Sequence, residues 1–179
     1  IMTKLDRSRY NGGEMLPAEF SDAMSALRGF AKSSLRASII FSAGMNQRLY
    51  TYAAQFEDFL PDANGALRKK IILKVSDYRS AEIQGKFLAK RGLWISEYRI
   101  ESGLNCGGHA FATQGYLMGP ILEEFKRRKA ELTEKLHAVY LKALADRKWR
   151  FQDKMEPKVR ITAQGGIGTF AEDQFLLEY

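Results

Sequence analysis

The chain has 179 residues, 45% of them hydrophobic, and a formal net charge of +7 from 28 Lys and Arg against 21 Asp and Glu. That length holds one domain with its own core, and no unbroken apolar run approaches the ~18 residues of a membrane span or the layout of a secretory leader, so a cytoplasmic location is expected. Cys106 is the only cysteine, which excludes an internal disulfide and any zinc or iron-sulfur centre built on several thiolates.

The first predicted element is an amphipathic helix in "PAEFSDAMSALRGFAK", with Pro17 in its first turn and Phe20, Met24 and Leu27 on its apolar face. A short β-branched run, "LRASIIFSAG", follows as a buried strand that ends at Gly44. Asn46 is placed to cap the next helix, whose face is Leu49, Tyr50, Ala53 and Phe56, and "PDANG" breaks it. "KKIILKVSD" is the second strand; Ser76 or Asp77 caps a helix from about Arg79 to Lys90, and Gly92 closes it. "LWISEYRIES" is the third strand. A long helix from near Pro120 carries Leu122, Phe125, Leu132, Leu136, Val139 and Tyr140 on one stripe. "MEPKVRITAQGG" is the fourth strand, and the chain is helical again from Phe170.

Strand and helix thus alternate four times with connections long enough for crossovers, which predicts an α/β fold with a parallel sheet in a single domain over residues 1–179. The arrangement is either part of a (β/α)₈ barrel, which normally takes about 250 residues, or an open doubly wound sheet. The apolar helical pattern runs on to the final "FLLEY" without a C-cap, so the chain is expected to be a piece of a longer barrel. Within the long helix, Glu123 with Arg127, Glu124 with Arg128, and Glu131 with Lys135 are spaced as i,i+4 ion pairs. The basic excess is therefore expected to be a solvated face rather than a nucleic-acid site.

In both architectures ligands meet the carboxyl ends of the strands, so the segments to inspect are "SAGMN", "KVSD", "ESGLNCGGH" and "AQGGIGT". In "ITAQGGIGTFAED", Gly165, Gly166 and Gly168 stand between a strand and a helix, where free amides and the helix dipole favour a phosphate. A tight turn that binds nothing is the alternative. Cys106 and His109, three residues apart in a glycine-rich loop, are candidate catalytic residues, since an imidazole lowers a nearby thiol's pKa. The alternative is a small buried thiol beside a structural histidine. Lys74 is a charge inside an otherwise apolar strand, and it either faces a ligand or pairs with Asp77, Glu97 or Glu101. His137, the only other histidine, lies in the middle of the long helix, which argues against a metal site.

From Lys69 to the end, the segments "ILKVSD", "RIESGLNCGGHAFAT" and "RITAQGGIGT" resemble the FMN-dependent TIM-barrel oxidoreductases, most closely the FMN domain of glutamate synthase. That family has an inward lysine on one strand, an "SGHDGG"-like loop after the next, and an "ADGG"-like turn after a later one. The resemblance implies an FMN cofactor with its phosphate on the amides of Gly165, Gly166 and Ile167. It also implies Lys74 near the pyrimidine edge of the flavin, Gln164 hydrogen-bonded to the ring system, and residues Ser102 to His109 on the substrate side. Glutamate synthases also bind an iron-sulfur cluster through several cysteines; Cys106 alone cannot, and "NCGGHAF" departs from the family loop, so the family's own reaction does not transfer.

The expected function is an FMN-dependent oxidoreductase with a small-molecule substrate, no membrane partner and no nucleic acid, completed by the remainder of a barrel or by a homo-oligomer. One rival keeps the barrel and the Gly165 turn for a phosphorylated metabolite without flavin, with Lys74 as a Schiff-base or electrostatic residue. The other is a non-catalytic basic α/β module that binds through the Lys126–Arg150 helix.

Overall fold

The computed structural model describes residues 1, 6–101, 118–151, 158–165 and 167–179. Cys106, His109 and Gly166 lie outside these residues. The chain begins with a hairpin of β1 (Tyr10–Asn11) and β2 (Glu14–Met15). Then come α1 (Asp22–Lys32), β3 (Ser38–Phe41), α2 (Gln47–Ala53), β4 (Lys70–Val75), α3 (Tyr78–Ala89), β5 (Ile95–Glu101), α4 (Met118–Asp146), β6 (Arg160–Gln164) and α5 (Phe170–Glu178).

The main sheet has four strands in the order β3-β4-β5-β6, every pair parallel. This is the α/β alternation expected from the sequence. The order follows the chain without reversal, and among the described residues the strands do not close into a barrel: β3 and β6 are its edges. Ile1 lies alongside β3, with its amino group donating to the Ile40 carbonyl at 2.6 Å and its own carbonyl accepting from the Ser42 amide at 3.1 Å.

Among the described residues, the helices cover one face of the sheet only. A single hydrophobic cluster joins Leu27 of α1, Leu49 and Tyr50 of α2, Leu88 of α3 and Phe125 and Leu136 of α4 to Phe41, Leu73, Val75, Tyr98 and Ile100 of the strands. Alternation then sends the intervening strand residues to the opposite face: Ile72 and Lys74 of β4, Glu97, Arg99 and Glu101 of β5, Arg160, Thr162 and Gln164 of β6. A register shift sets this up. Ile71 pairs with Ile95 but Ile72 pairs with Glu97, so Ser96 is an extra residue on β5. Without it Tyr98 would stand opposite Lys74; with it Tyr98 packs under α3 and three charges line the uncovered face.

Local signals account for the helix boundaries. Asn46 accepts from the Leu49 amide at 3.0 Å, and Asp77 accepts from the Ser80 amide at 2.6 Å, so Asp77 rather than Ser76 caps α3, an interaction worth about 0.5–2 kcal/mol. Gly92, at φ 69°, ends α3 with the Leu93 amide bonded back to the Leu88 carbonyl at 3.1 Å. In α5, Thr169 and Glu172 form a reciprocal capping box.

Two expectations need correction. The first helix is split: a 3₁₀ turn at Ala18–Phe20 precedes α1, because extended Ser21 (ψ 159°) interrupts it, and Phe20 is exposed with the Arg28 guanidinium 5.3 Å from its ring centre. On α4, Glu123–Arg127 and Glu124–Arg128 pair at 2.7 and 2.9 Å, but Lys135 reaches across to Glu82 of α3 and Glu131 turns back to Arg128 at 3.2 Å. The closely packed neighbouring helix offers Lys135 a partner that helical spacing alone does not show. No helix among the described residues is long and apolar enough to cross a membrane.

Candidate ligand-binding face

The uncovered sheet face carries two ion pairs side by side. The Lys74 Nζ lies 2.8 Å from Glu101 Oε2, and the Gln164 amide donates to Glu101 Oε1 at 3.5 Å. Beside it, Glu97 Oε1 accepts from Arg99 Nε at 3.0 Å, Arg99 Nη2 at 2.7 Å and Thr162 Oγ1 at 2.8 Å. Parallel pairing brings these residues together across three strands, since Lys74 is in register with Arg99, and Arg99 with Thr162.

Lys74 therefore pairs, and of the three candidate carboxylates its partner is Glu101. Asp77 is committed to the α3 cap and Glu97 to Arg99. The two carboxylates are the buried halves: in side-chain exposure Lys74 is at 21% against 6% for Glu101, and Arg99 at 26% against 11% for Glu97. A carboxylate that deep is tolerated because a cation meets it. The cations lie above and keep part of their surface toward solvent, so the face presents N–H donors to an arriving group although its formal charges balance.

At the carboxyl end of β6 the backbone turns through Gly165, at φ 79°, a conformation that L side chains rarely adopt. The donors just beyond are already engaged. Glu172 Oε2 accepts from the Gly168 amide at 2.9 Å, the Thr169 amide at 2.9 Å and the Thr169 hydroxyl at 3.1 Å, and these bonds hold its carboxyl below the ordinary carboxylate range. An anion at this turn is thus confined to the Gly165–Ile167 side, unless it displaces a carboxylate that the helix supplies for itself. Ile167 is exposed at 40%.

An apolar cleft of about 420 Å³ opens between the first turns of α4 and the length of α5, lined chiefly by Met118, Leu122, Ile167, Phe175, Leu176 and Tyr179. Cys106 and His109 belong to residues 102–117, which connect the carboxyl end of β5 to α4 and lie outside the described residues. His137 packs between Trp94, edge-on at 5.7 Å, and Tyr140, at 6.3 Å.

The sequence-predicted residues Lys74, Gln164, Gly165 and Ile167 all fall at the carboxyl ends of β4 and β6, and Lys74 and Gln164 share Glu101. A cation, an amide and a glycine turn are donor types suited to a phosphorylated flavin, so the set fits such a group in kind. Arg99 and Thr162 were missed, and Glu97 was considered only as a partner of Lys74, although charges at every second position of "EYRIE" signalled a polar strand face. Comparison of the chain with protein-family models, with curated proteins and with solved structures finds no match.

Proposed function

We propose that the chain is part of an FMN-dependent oxidoreductase of the (β/α)₈ class, with its ligand at the carboxyl ends of β4, β5 and β6. The observation that carries this reading is the uncovered sheet face, where Lys74 and Arg99 lie above buried carboxylates beside Gln164 and the Gly165 turn. Strands in chain order with helices on one face are also what part of a (β/α)₈ barrel looks like, the uncovered face standing where the barrel interior would be.

When bound, FMN would supply the hydride or electron transfer. The chain's own residues bind and orient. Lys74 offers a positive charge that favours an anionic ring edge, and Glu101 holds that ammonium in place. Gln164 offers an amide, and the Gly165–Ile167 backbone offers N–H donors to a phosphate. Cys106 and His109 are proposed to border the substrate, in the segment that follows Glu101 directly.

The test is a fluorescence titration of FMN with the chain, repeated with Gly166→Asp and Lys74→Met. The expected result is saturable quenching, weakened at least about tenfold by the carboxylate placed at the phosphate position and less by loss of the ammonium. Quenching that neither substitution changes, or none with FMN in the millimolar range, rejects the reading for this chain.

A further inference from the structure

A second cleft opens at the other end of the sheet. It spans about 1160 Å³, and four cations from three segments stand around it: Lys70 at the start of β4, Lys129 on α4, and Lys158 and Arg160 where β6 begins. All four are exposed, and none has a carboxylate within ion-pair distance among the described residues. Elsewhere on α4, Arg127, Arg128 and Lys135 are each held by a glutamate, whereas Lys126 lies over the Tyr179 ring and Lys142, like the cleft cations, has no carboxylate within ion-pair distance among the described residues.

Ile72, Trp94 and Val159 supply an apolar part of its lining, beside the polar Ser96, Thr133 and His137. Two carboxylates reach the lining: Glu97, already covered by Arg99 and Thr162, and Glu134 on α4. The walls therefore carry an excess of unneutralised positive charge beside this apolar part. We propose that this amino-end cleft is a binding site for a small organic anion bearing two or more phosphates and an apolar or aromatic part. It shares the uncovered sheet face through Ile72, Glu97 and Arg160 but lies at the amino end of the strands, away from Lys74 and Gln164 at the carboxyl end. Arg160 and Gln164 mark opposite ends of β6, about 13 Å apart at the usual strand rise.

The occupant is small because of the cleft's shape. A nucleic-acid backbone is best met by a continuous track of cations along one surface. Here the cations come from separate elements around a concavity, with Glu134 among them. The volume lies just above the usual range of about 300–1,000 Å³ for small-molecule sites, so a larger phosphorylated molecule fits better than a free phosphate. Apolar contact with Ile72 and the edge of Trp94 would distinguish a phosphorylated organic molecule from free phosphate.

The test is isothermal titration of the whole chain with ATP and with inorganic pyrophosphate at about 50 mM salt, a concentration low enough to expose phosphate contacts. ATP is expected to bind more tightly than pyrophosphate. Lys129→Glu with Arg160→Glu is expected to weaken ATP at least about tenfold, as reversal of two facing charges should. Lys90→Glu with Lys142→Glu, the same change in net charge at exposed positions outside the cleft, is expected to leave ATP within about threefold. Circular dichroism checks that each variant is folded, and Lys129→Ala with Arg160→Ala, which adds no new charge, serves if the reversal disturbs folding. Equal losses in the two charge-reversal pairs, no heat with ATP at millimolar concentration, or tighter binding to a single-stranded oligonucleotide than to ATP overturns the proposal.

Discussion

Replacing Gly85 with alanine places a methyl group where α3 passes closest to the sheet. An ideal Cβ at residue 85 would lie 2.3 Å from the Tyr98 hydroxyl and 2.7 Å from Leu136 Cδ1, both inside any tolerated contact. Leu136 can shift by rotamer, but Tyr98 has little freedom. Its ring is fully buried between β5 and Phe125, and its hydroxyl donates to the Ala81 carbonyl at 3.3 Å. Overpacking of this kind costs about 1–3 kcal/mol, and pushing the hydroxyl off its acceptor adds a buried unpaired donor of similar order. Alanine returns up to about 1 kcal/mol of helix propensity. The expected net is a destabilisation of about 1–5 kcal/mol, or a fall in Tm of about 2–20 °C for a chain of this size. Urea unfolding followed by circular dichroism measures it. Tyr98→Phe in the Gly85→Ala background should recover part of the loss, because it removes the atom nearest the new methyl. A Gly85→Ala protein as stable as the parent, or more so, would refute the close approach of α3 to β5.

Two further outcomes follow from the sheet face and from α5. Glu101→Gln leaves the Lys74 ammonium partly buried without its carboxylate and should cost about 1–3 kcal/mol in urea, less than for a fully buried pair because Lys74 keeps solvent contact; Lys74→Met with Glu101→Leu should recover most of it, and an unchanged midpoint in the single variant would contradict the pair. Because the carboxyl of Glu172 is held below its ordinary value, its capping bonds stabilise α5 above the ordinary carboxylate pKa and are lost as pH falls through the lowered one. Amide hydrogen exchange at Gly168, Thr169 and Glu172 should therefore rise relative to intrinsic rates in acid in the parent and be nearly independent of pH in Glu172→Gln, and a pH-independent parent would count against the capping box.

The elements were legible because their signals are local. Asn46 and Asp77 cap through bonds spanning three residues, and "KKIILKVSD" reads as a strand without reference to anything else. What the sequence hid was relational. Ile71 to Val75 is apolar except at Lys74, so nothing in it says that Ile71, Leu73 and Val75 meet helices while Ile72 shares the open face with Lys74. Lys74 had three plausible partners, and its choice depended on what a cap and Arg99 had already taken. The loop that drew attention first, with Cys106 and His109, lies outside the described residues, while Arg99 and Thr162 became visible only once parallel pairing aligned them.

The bulge at Ser96 has an evolutionary meaning. Along β5, adjacent residues answer to separate constraints: Tyr98 and Ile100 to the packing of α3 and α4, Glu97, Arg99 and Glu101 to whatever meets the open face. Substitutions among the second group leave the first untouched as long as each buried charge keeps a partner. Such a strand lets selection rewrite ligand preference in compensated pairs, a carboxylate together with its cation, without crossing a stability threshold on the way. Under the proposed function, relatives with other ligands should then differ at Lys74 and Glu101 jointly while Tyr98 and Gly85 stay fixed.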